Sequence, residues 1–564
     1  MLLTVRYHCG VNAKREILAE AEGVGKGDQP LAQRTQAIAS SWAWAALTAI
    51  LLAHLMLSWL SRSPGIATGQ DDVEYITLSH SIRQGGYADL MRIDAPVHAQ
   101  YPPGYPAVLA MWGAIAGDDY DRLLVLSLAF SLAALLLLFC AIRKRWGHGI
   151  ALGTVAVLAF NPHWNAIAGS IRSEMPYVFL AVAALLLAAE EKSSWRTHAG
   201  AIAAAIGAAL TRSVGITLIV AVGLYWMYAR RWRTAAWLAL AAAVTIGPWM
   251  LWTTIAPEQR IGSSYVAEIR AIDGDTPWTL PLATRIPTHA RWYLATGIPH
   301  NLAAPSIAGT PVDNAIVVAI IVATALVGAS SLFRRWRAAA IYVLVYAGLL
   351  TVWLWSTERF VIPVLPFIVL AMLLGACRAG RIHSIRSGGY AAAVLALMLA
   401  TNGAAKSVLQ VRELRECRTA AGLPPGCLVG EQGHYFEAMA WIEDNLPADA
   451  VFLTAKNGAL YWYTERRSVS YAGALAQDSA SFLPWIRDQG GHWILLSALE
   501  VAEGTRLARL LAMNCTQLEV EAQFSSRTIL FRIPDATPVT DRAACVAMER
   551  YRADRESGQA DART

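Results

Sequence analysis

The sequence predicts a polytopic α-helical membrane protein of about eleven spans, followed by a small α/β domain outside the cytoplasm. Three observations lead there. Of the 564 residues, 55% are hydrophobic and 16% charged, against roughly 25% charged in a soluble chain, and the mean hydropathy is +0.39. The apolar residues gather in runs at 41–60, 123–142, 175–189, 235–255, 315–332, 338–355, 360–377 and 390–400. These approach the roughly 20 residues that cross hydrocarbon. Short Arg-rich clusters separate the runs, and after Glu431 no run is long enough to span. A large soluble helical protein would show amphipathic periodicity instead of segments apolar all round.

The net charge of +6 is no nucleic-acid footprint, because the basic residues sit in short loops. The clusters are Arg143-Lys144-Arg145, Arg230-Arg231-Trp232-Arg233, Arg334-Arg335-Trp336-Arg337 and the stretch from Arg378 to Arg386. Lys and Arg in short loops mark the cytoplasmic side. The polar segment 1–39 carries Lys14, Arg15, Lys26 and Arg34 and is expected inside as well. It has no apolar core at its start, so it is not read as a cleaved signal peptide.

Taken in order, the first span (42–60) exits and a loop of about sixty residues (61–120) follows outside. The second span returns to Arg143–Arg145. Spans three and four form a hairpin whose outer turn lies near 165–173. The segment 199–227 is interrupted by Thr211-Arg212-Ser213 and reads as two short helices. The seventh span (235–255) exits to a loop at 256–312, the eighth returns to Arg334–Arg337, and three more place the chain after Lys406 outside. The predicted domains are a cytoplasmic segment 1–39, a membrane domain 40–407, an outer α/β domain 408–535 and a polar tail 536–564.

In the α/β domain, β-type runs at 450–453, 493–496 and 528–531 alternate with helical ones at 436–445, 482–488 and 502–513. The stretch 459–467 reads as the helix and strand of that ordinary core, with an acceptor-binding surface as the alternative. Four of the seven cysteines, Cys417, Cys427, Cys515 and Cys545, fall here. A local Cys417–Cys427 bridge and a Cys515–Cys545 bridge fit an oxidising compartment. No CxxC or His/Cys cluster points to structural zinc.

The first outer loop carries the densest chemistry. Asp71, Asp72 and Glu74 place three carboxylates within four residues, followed by Tyr75 and by Tyr101-Pro102-Pro103-Gly104-Tyr105-Pro106. Tyr75, Leu78 and Ile82 predict a short helix on the bilayer surface with both aspartates at its N-terminus, where they either cap it or do chemistry. Glu174 stands beside Arg172 at the outer mouth of the fourth span, where a charged pair is costly unless it is paired or faces a polar cavity. Glu358 and Arg359 form a third cluster, and Arg212 adds a further cation. Aromatic and charged residues in the loop 256–312, such as Trp278, Trp292 and Tyr293, read mostly as interface anchors.

In order and topology, Asp71-Asp72-x-x-Tyr75, the Tyr101–Pro106 motif, Arg172-Ser173-Glu174, and Glu358-Arg359-Phe360 with Pro363 and Pro366 resemble the GT-C glycosyltransferases. The nearer resemblance is to the bacterial branch related to protein O-mannosyltransferases and the lipid A aminoarabinose transferase. It covers residues 41–402. It implies a GT-C-like membrane domain in a bacterial inner membrane, a polyprenyl-phosphate-linked sugar donor, and a cell-envelope glycan, lipid or protein as acceptor. It also implies hexosyl or pentosyl transfer with catalytic carboxylates at Asp71, Asp72 and Glu174. Tyr75, Tyr101, Arg172, Glu358 and Arg359 would contact substrate. The chain departs from the pattern in having Asp72 where relatives often have Glu, and in lacking a basic residue beside the proline motif.

The chemistry agrees with these residue types. A phosphate leaving group needs no acid, so one carboxylate suffices as general base, unlike the carboxylate pair of glycoside hydrolysis. Charge growing on the phosphate calls for Arg, with Arg359 the first choice and Arg172 the second. Direct attack by the acceptor predicts inversion. No cofactor is required, although clustered carboxylates leave room for a divalent metal. A transporter or flippase of lipid-linked sugars is the alternative, and it predicts internal repeats and mid-span ionisable groups. An assembly protein with a membrane anchor would need neither so many spans nor an acidic loop. The expectation for the site is that Asp71, Glu174 and Arg359 line one cavity at the outer membrane face.

Overall fold

The computed structural model describes residues 29–62, 70–190, 194–255, 281–302, 311–353, 356–381, 384–419, 430–497, 499, 503–534 and 542–561. The chain divides into two compact units. The first comprises Met1–Arg62, Asp121–Trp249 and Pro281–Arg412, and the second Ser63–Tyr120, Met250–Leu280 and Glu413–Thr564.

The first unit is helical and apolar. Among the described residues, Ser41–Leu60, Tyr120–Ala159, Ala315–Arg335 and Ser387–Leu414 are long and apolar enough to cross a membrane. Trp232–Thr245 and Gly247–Thr253, bent by 42° at their junction, add a fifth if they form one broken span. Five apolar helices are shorter, so the expected eleven spans resolve into four or five of full length and a set of short ones. The backbone of Tyr120–Ala159 breaks at Gly147, with φ at 84°, just after the Arg143–Arg145 cluster. The segment around 199–227 is two helices, Trp195–Thr211 and Ile216–Tyr228, as expected. At the junction Gly215 lies so close to the preceding helix that a Cβ would stand 2.5 Å from the Ala209 backbone. The Pro311–Arg335 and Leu365–Gly380 helices cross through Gly328 and Gly375, where a Cβ on either would meet a carbonyl oxygen of the other helix at 1.8 Å. Small residues let two membrane helices approach this closely.

The basic clusters gather at one end of this unit. Arg145 lies over the Trp336 ring at 4.6 Å and donates to the Arg335 carbonyl. Arg337 lies over Tyr228 at 4.5 Å, and Arg378 donates to Ser330. Residues far apart in sequence therefore share the side that the charge pattern assigned to them jointly. A second polar cluster is buried within the bundle: His54 contacts Ser131 (2.9 Å) and Asn165 (2.8 Å), and Asn165 donates to Ser407 (3.2 Å). Every member has a partner, which is what makes such a group tolerable in hydrocarbon.

The second unit is built on a five-stranded sheet of β1 (Val451–Thr454), β2 (Arg467–Ser468), β3 (Trp493–Leu496), β4 (Glu519–Gln523) and β5 (Ile529–Arg532), ordered β2-β1-β3-β5-β4. β1 runs parallel to β2 and β3, and β5 runs antiparallel to β3 and β4. Alternate residues of the central strands enter separate cores. Phe452, Leu495 and Leu530 join the Glu431–Asn445 helix on one face, while Leu453, Ile494 and Phe531 pack on the other. Burial of both faces explains why these strands read as short continuous apolar runs. The helix Ala543–Asp561, in the stretch expected as a polar tail, buries Ala544, Ala547, Met548 and Tyr551 in that second core and is tied down by the Cys515–Cys545 disulfide. Cys427 of the expected Cys417–Cys427 bridge and the loop 256–280, with Trp278, lie outside the described residues.

Arg466 holds this domain from within. Its buried guanidinium donates to the carbonyls of Thr464, Leu446, Pro447 and Glu443, at 2.5–3.3 Å. Three of these carbonyls belong to the C-terminal end of the Glu431–Asn445 helix and its exit, where orphan acceptors collect. Arg466→Met keeps the stem and removes the donors, and should lower stability by about 2 kcal/mol. Thermal unfolding of the purified protein in detergent reads this, and an unshifted transition would refute the assigned role.

The first outer loop belongs to the same unit as this sheet. Met91 and Ile93 pair with Ser468 at the β2 edge through Ser468 N–H to Met91 O (3.0 Å) and Ile93 N–H to Ser468 O (3.2 Å). The helix Gln70–Arg83 packs against Gly104–Ala116 and Asn457–Thr464. Val73, Tyr75, Ile76 and Leu78 are buried, as are Thr77, Ser79 and Ser81. This corrects the expectation of a surface-lying helix. The loop helix with an open apolar face is Gly104–Ala116, where Met111 is 63% and Ile115 82% exposed.

Candidate active site

Both aspartates sit in the first turn of Gln70–Arg83, beside the positive end of the helix dipole. Their environments differ. Asp72 is buried and accepts from the Tyr120 hydroxyl at 2.8 Å. Asp71 is partly exposed and accepts from the Tyr101 hydroxyl at 3.1 Å. The neighbouring carboxylates are thus separated into one buried and one partly exposed. Tyr75 is buried and packs its ring against Tyr101 (5.1 Å) and Tyr105 (4.9 Å).

Tyr101 is held at several points. Its N–H donates to His98 Nε2 (2.8 Å), its carbonyl accepts from the Tyr87 hydroxyl (2.7 Å), and the His98 ring stacks on it at 5.4 Å. Burial, reinforced by Tyr75, Asp89 and Glu74, raises Tyr87 well above the ordinary phenol value, so it stays a donor. His98 Nδ1 bonds Asp89, and both residues are buried.

Glu74, Asp89 and His98 offer three ligand atoms within 4.8 Å of one another, a set compatible with a divalent cation in composition and reach. The hydrogen bonds select a different use. A neutral imidazole has one N–H, and Nε2 is accepting from Tyr101, so the proton lies on Nδ1 and points at Asp89. A metal at Nδ1 would have to displace that proton, and a proton moved to Nε2 would cost the Tyr101 bond, since an amide N–H cannot accept. The set stays compatible with a divalent cation in composition and reach, and both nitrogens of the ring are engaged as placed.

In the first unit, Glu174 opens the helix Glu174–Ala188 and is buried. Its carboxylate is 2.7 Å from the Arg212 guanidinium, which also donates to Ser173 Oγ at 3.0 Å. Arg212 reaches it because the chain is extended there, between two helices. Near the other end of Glu174–Ala188, Trp336 of a basic cluster donates to Leu185 O. Eleven residues of helix put Glu174 about 17 Å from that basic side. Tyr346 is buried within electrostatic reach of Arg212, Glu174 and Tyr293, and Tyr293 is buried rather than at an interface.

Glu358 and Arg359 lie in a single 3₁₀ turn, Glu358–Val361, and both are half-buried. The turn is tethered by Asn301, which donates to the Glu358 carbonyl at 2.7 Å and accepts from Asn161 at 2.6 Å. The Arg359 guanidinium lies 5.6 Å from the Phe360 ring. Arg172 is half-buried one residue before Ser173. The structure therefore groups Asp71, Asp72, Tyr75 and Tyr101 in one unit, and Arg172, Glu174, Glu358 and Arg359 in the other. A single cavity for Asp71, Glu174 and Arg359 is an expectation of topology alone. Sequence reasoning missed Tyr87, Asp89, His98 and Tyr120, and it left Arg212 without a partner. The available signal was His98, three residues before Tyr101 in the proline motif.

No family model and no curated protein matches the sequence. Among solved structures the chain is similar to ArnT from Cupriavidus metallidurans in the apo state, with a TM-score of 0.53 and 14% identity, covering 89% of this chain and 100% of that one. It is also similar to the oligosaccharyltransferase of Archaeoglobus fulgidus in the apo form, with a TM-score of 0.51 and 12% identity, covering 88% and 75%. The same archaeal enzyme, AglB, in complex with an inhibitory peptide and a dolichol-phosphate gives a TM-score of 0.50 at 12% identity, again covering 88% and 75%. At such identities what is shared is the fold.

Proposed function

We propose that this chain, which has the fold of the GT-C glycosyltransferases, moves a sugar from a polyprenyl-phosphate donor to a cell-envelope acceptor. The observation that carries this reading is the separation of the two aspartates. Asp72 is buried under Tyr120, whereas Asp71 is partly exposed and accepts from a tyrosine. One such carboxylate is what a general base needs when the leaving group is already a phosphate. The dolichol-phosphate in the archaeal complex supports a lipid-phosphate donor.

In the proposed reaction the acceptor hydroxyl gives its proton to Asp71 as its oxygen bonds to the anomeric carbon. The bond from that carbon to the phosphate oxygen breaks, and its electron pair leaves with the polyprenyl phosphate. Attack opposite the leaving group inverts the anomeric centre. Arg359 and Arg172 are the cations assigned to the phosphate charge, and the Glu174–Arg212 pair adds a third guanidinium. Reaction outside the cytoplasm is supported by Glu174 lying at the end of its helix away from the basic clusters, since such clusters stay inside.

The test supplies labelled polyprenyl-phosphate sugars to membranes with and without the protein. Expected are a labelled envelope product and stoichiometric release of polyprenyl phosphate. Equal labelling in both preparations across a panel of hexose and pentose donors would sink the proposal.

A further inference from the structure

We propose that Asp89 and His98 are positioning residues that set the Tyr101 hydroxyl on Asp71, a role that rests on the reading of Asp71 as the base. The chain of contacts is continuous and lies within one unit. Asp89 accepts a hydrogen bond from the Nδ1–H of His98, which fixes the ring tautomer and turns the Nε2 lone pair toward the backbone. Nε2 accepts the Tyr101 N–H at 2.8 Å, and the rings stack at an interplanar angle of 13°. Tyr87 fixes the Tyr101 carbonyl, and Tyr75 packs on the ring. The hydroxyl that results from this placement reaches Asp71.

The loop itself explains why such a device is needed. Residues 87–98 form a short hairpin closed by Asp89 N–H to Pro96 O (2.8 Å) and His98 N–H to Tyr87 O (2.9 Å). Tyr101 then stands outside any helix or strand, just before two prolines that have no N–H to donate. The imidazole supplies the acceptor for its N–H, as the Tyr87 hydroxyl supplies the donor for its carbonyl. Asp89 is 2% exposed and His98 is fully buried, so neither is in a position to meet a large substrate directly. Their effect passes through Tyr101.

Two readouts test this. The first needs no substrate: hydrogen exchange by mass spectrometry on the peptide containing Tyr101, in the full chain held in detergent. His98→Ala should speed exchange there, and His98→Gln, whose amide oxygen can replace Nε2 as acceptor, should restore much of the protection. The second is kinetic. His98→Ala and Asp89→Asn should each lower kcat roughly ten- to a hundredfold, the scale of a misplaced catalytic contact, with KM for the lipid donor changed less than about twofold. Placed in a Tyr101→Phe background, His98→Ala should cost less than about threefold more, because coupled residues are non-additive.

Equal losses in both backgrounds, or unchanged exchange at Tyr101, overturn the positioning role. If the wild type transfers no sugar from any donor, the enzymatic reading fails while the exchange result still decides whether His98 holds Tyr101.

Discussion

Asp71→Asn is expected to lower sugar transfer by about a thousandfold, the scale of a lost general base, equivalent to about 4 kcal/mol of barrier. The substitution isolates charge and basicity from structure. The asparagine oxygen still accepts from the Tyr101 hydroxyl that now meets Asp71 at 3.1 Å, so this contact is kept and folded yield is to be matched to wild type. Asp72→Asn has a different signature. Asp72 is buried and accepts from the Tyr120 hydroxyl, so the loss should appear first in thermal stability. Steady-state transfer with labelled polyprenyl-phosphate sugar, at matched protein levels, distinguishes the two. Asp71→Asn activity within about threefold of wild type would remove it as the base.

The second large effect is on folding. Arg212→Met leaves Glu174 as a carboxylate with 0% side-chain exposure and its 2.7 Å cation gone. Removing one partner of a buried ion pair typically costs about 3–5 kcal/mol, because the remaining charge loses both water and its counter-charge. Thermal unfolding in detergent should show a clear loss, and Glu174→Gln should be milder because its amide oxygen still faces Arg212, whose side chain is 10% exposed against 0% for Glu174. Combining Arg212→Met with Glu174→Gln should recover part of the stability. If Arg212 also meets the donor phosphate, that double variant will regain stability without regaining transfer. A single Arg212→Met variant as stable as wild type would rule out the pair as structural.

Much of the fold was legible locally. The Thr211-Arg212-Ser213 interruption became two helices, and the apolar runs near 450, 493 and 528 became β1, β3 and β5. The missed strand has a physical reason: β4 reads Glu-Val-Glu-Ala-Gln, a polar edge with little burial to signal it. The helix and strand expected over 459–467 are Asn457–Thr464 and β2. The surface-helix reading of Gln70–Arg83 failed because a weakly apolar helix can be buried by its neighbours, here Gly104–Ala116 and Asn457–Thr464. No periodicity reveals partners so distant in sequence.

What the amino-acid sequence by itself determined is the membrane character of the chain and the gathering of its basic clusters in short loops, together with the acidic first-loop motif. Those follow from transfer free energies and charge placement, which are properties of single segments. Only the tertiary structure decided what Asp71 and Asp72 each are. Both are acids in the first turn of one helix, and sequence treats them as near equals. Tyr120 buries one, and the other, bonded to Tyr101, is partly exposed. That difference depends on where residues thirty and forty-eight positions downstream return in space, which hydrophobic patterning does not encode.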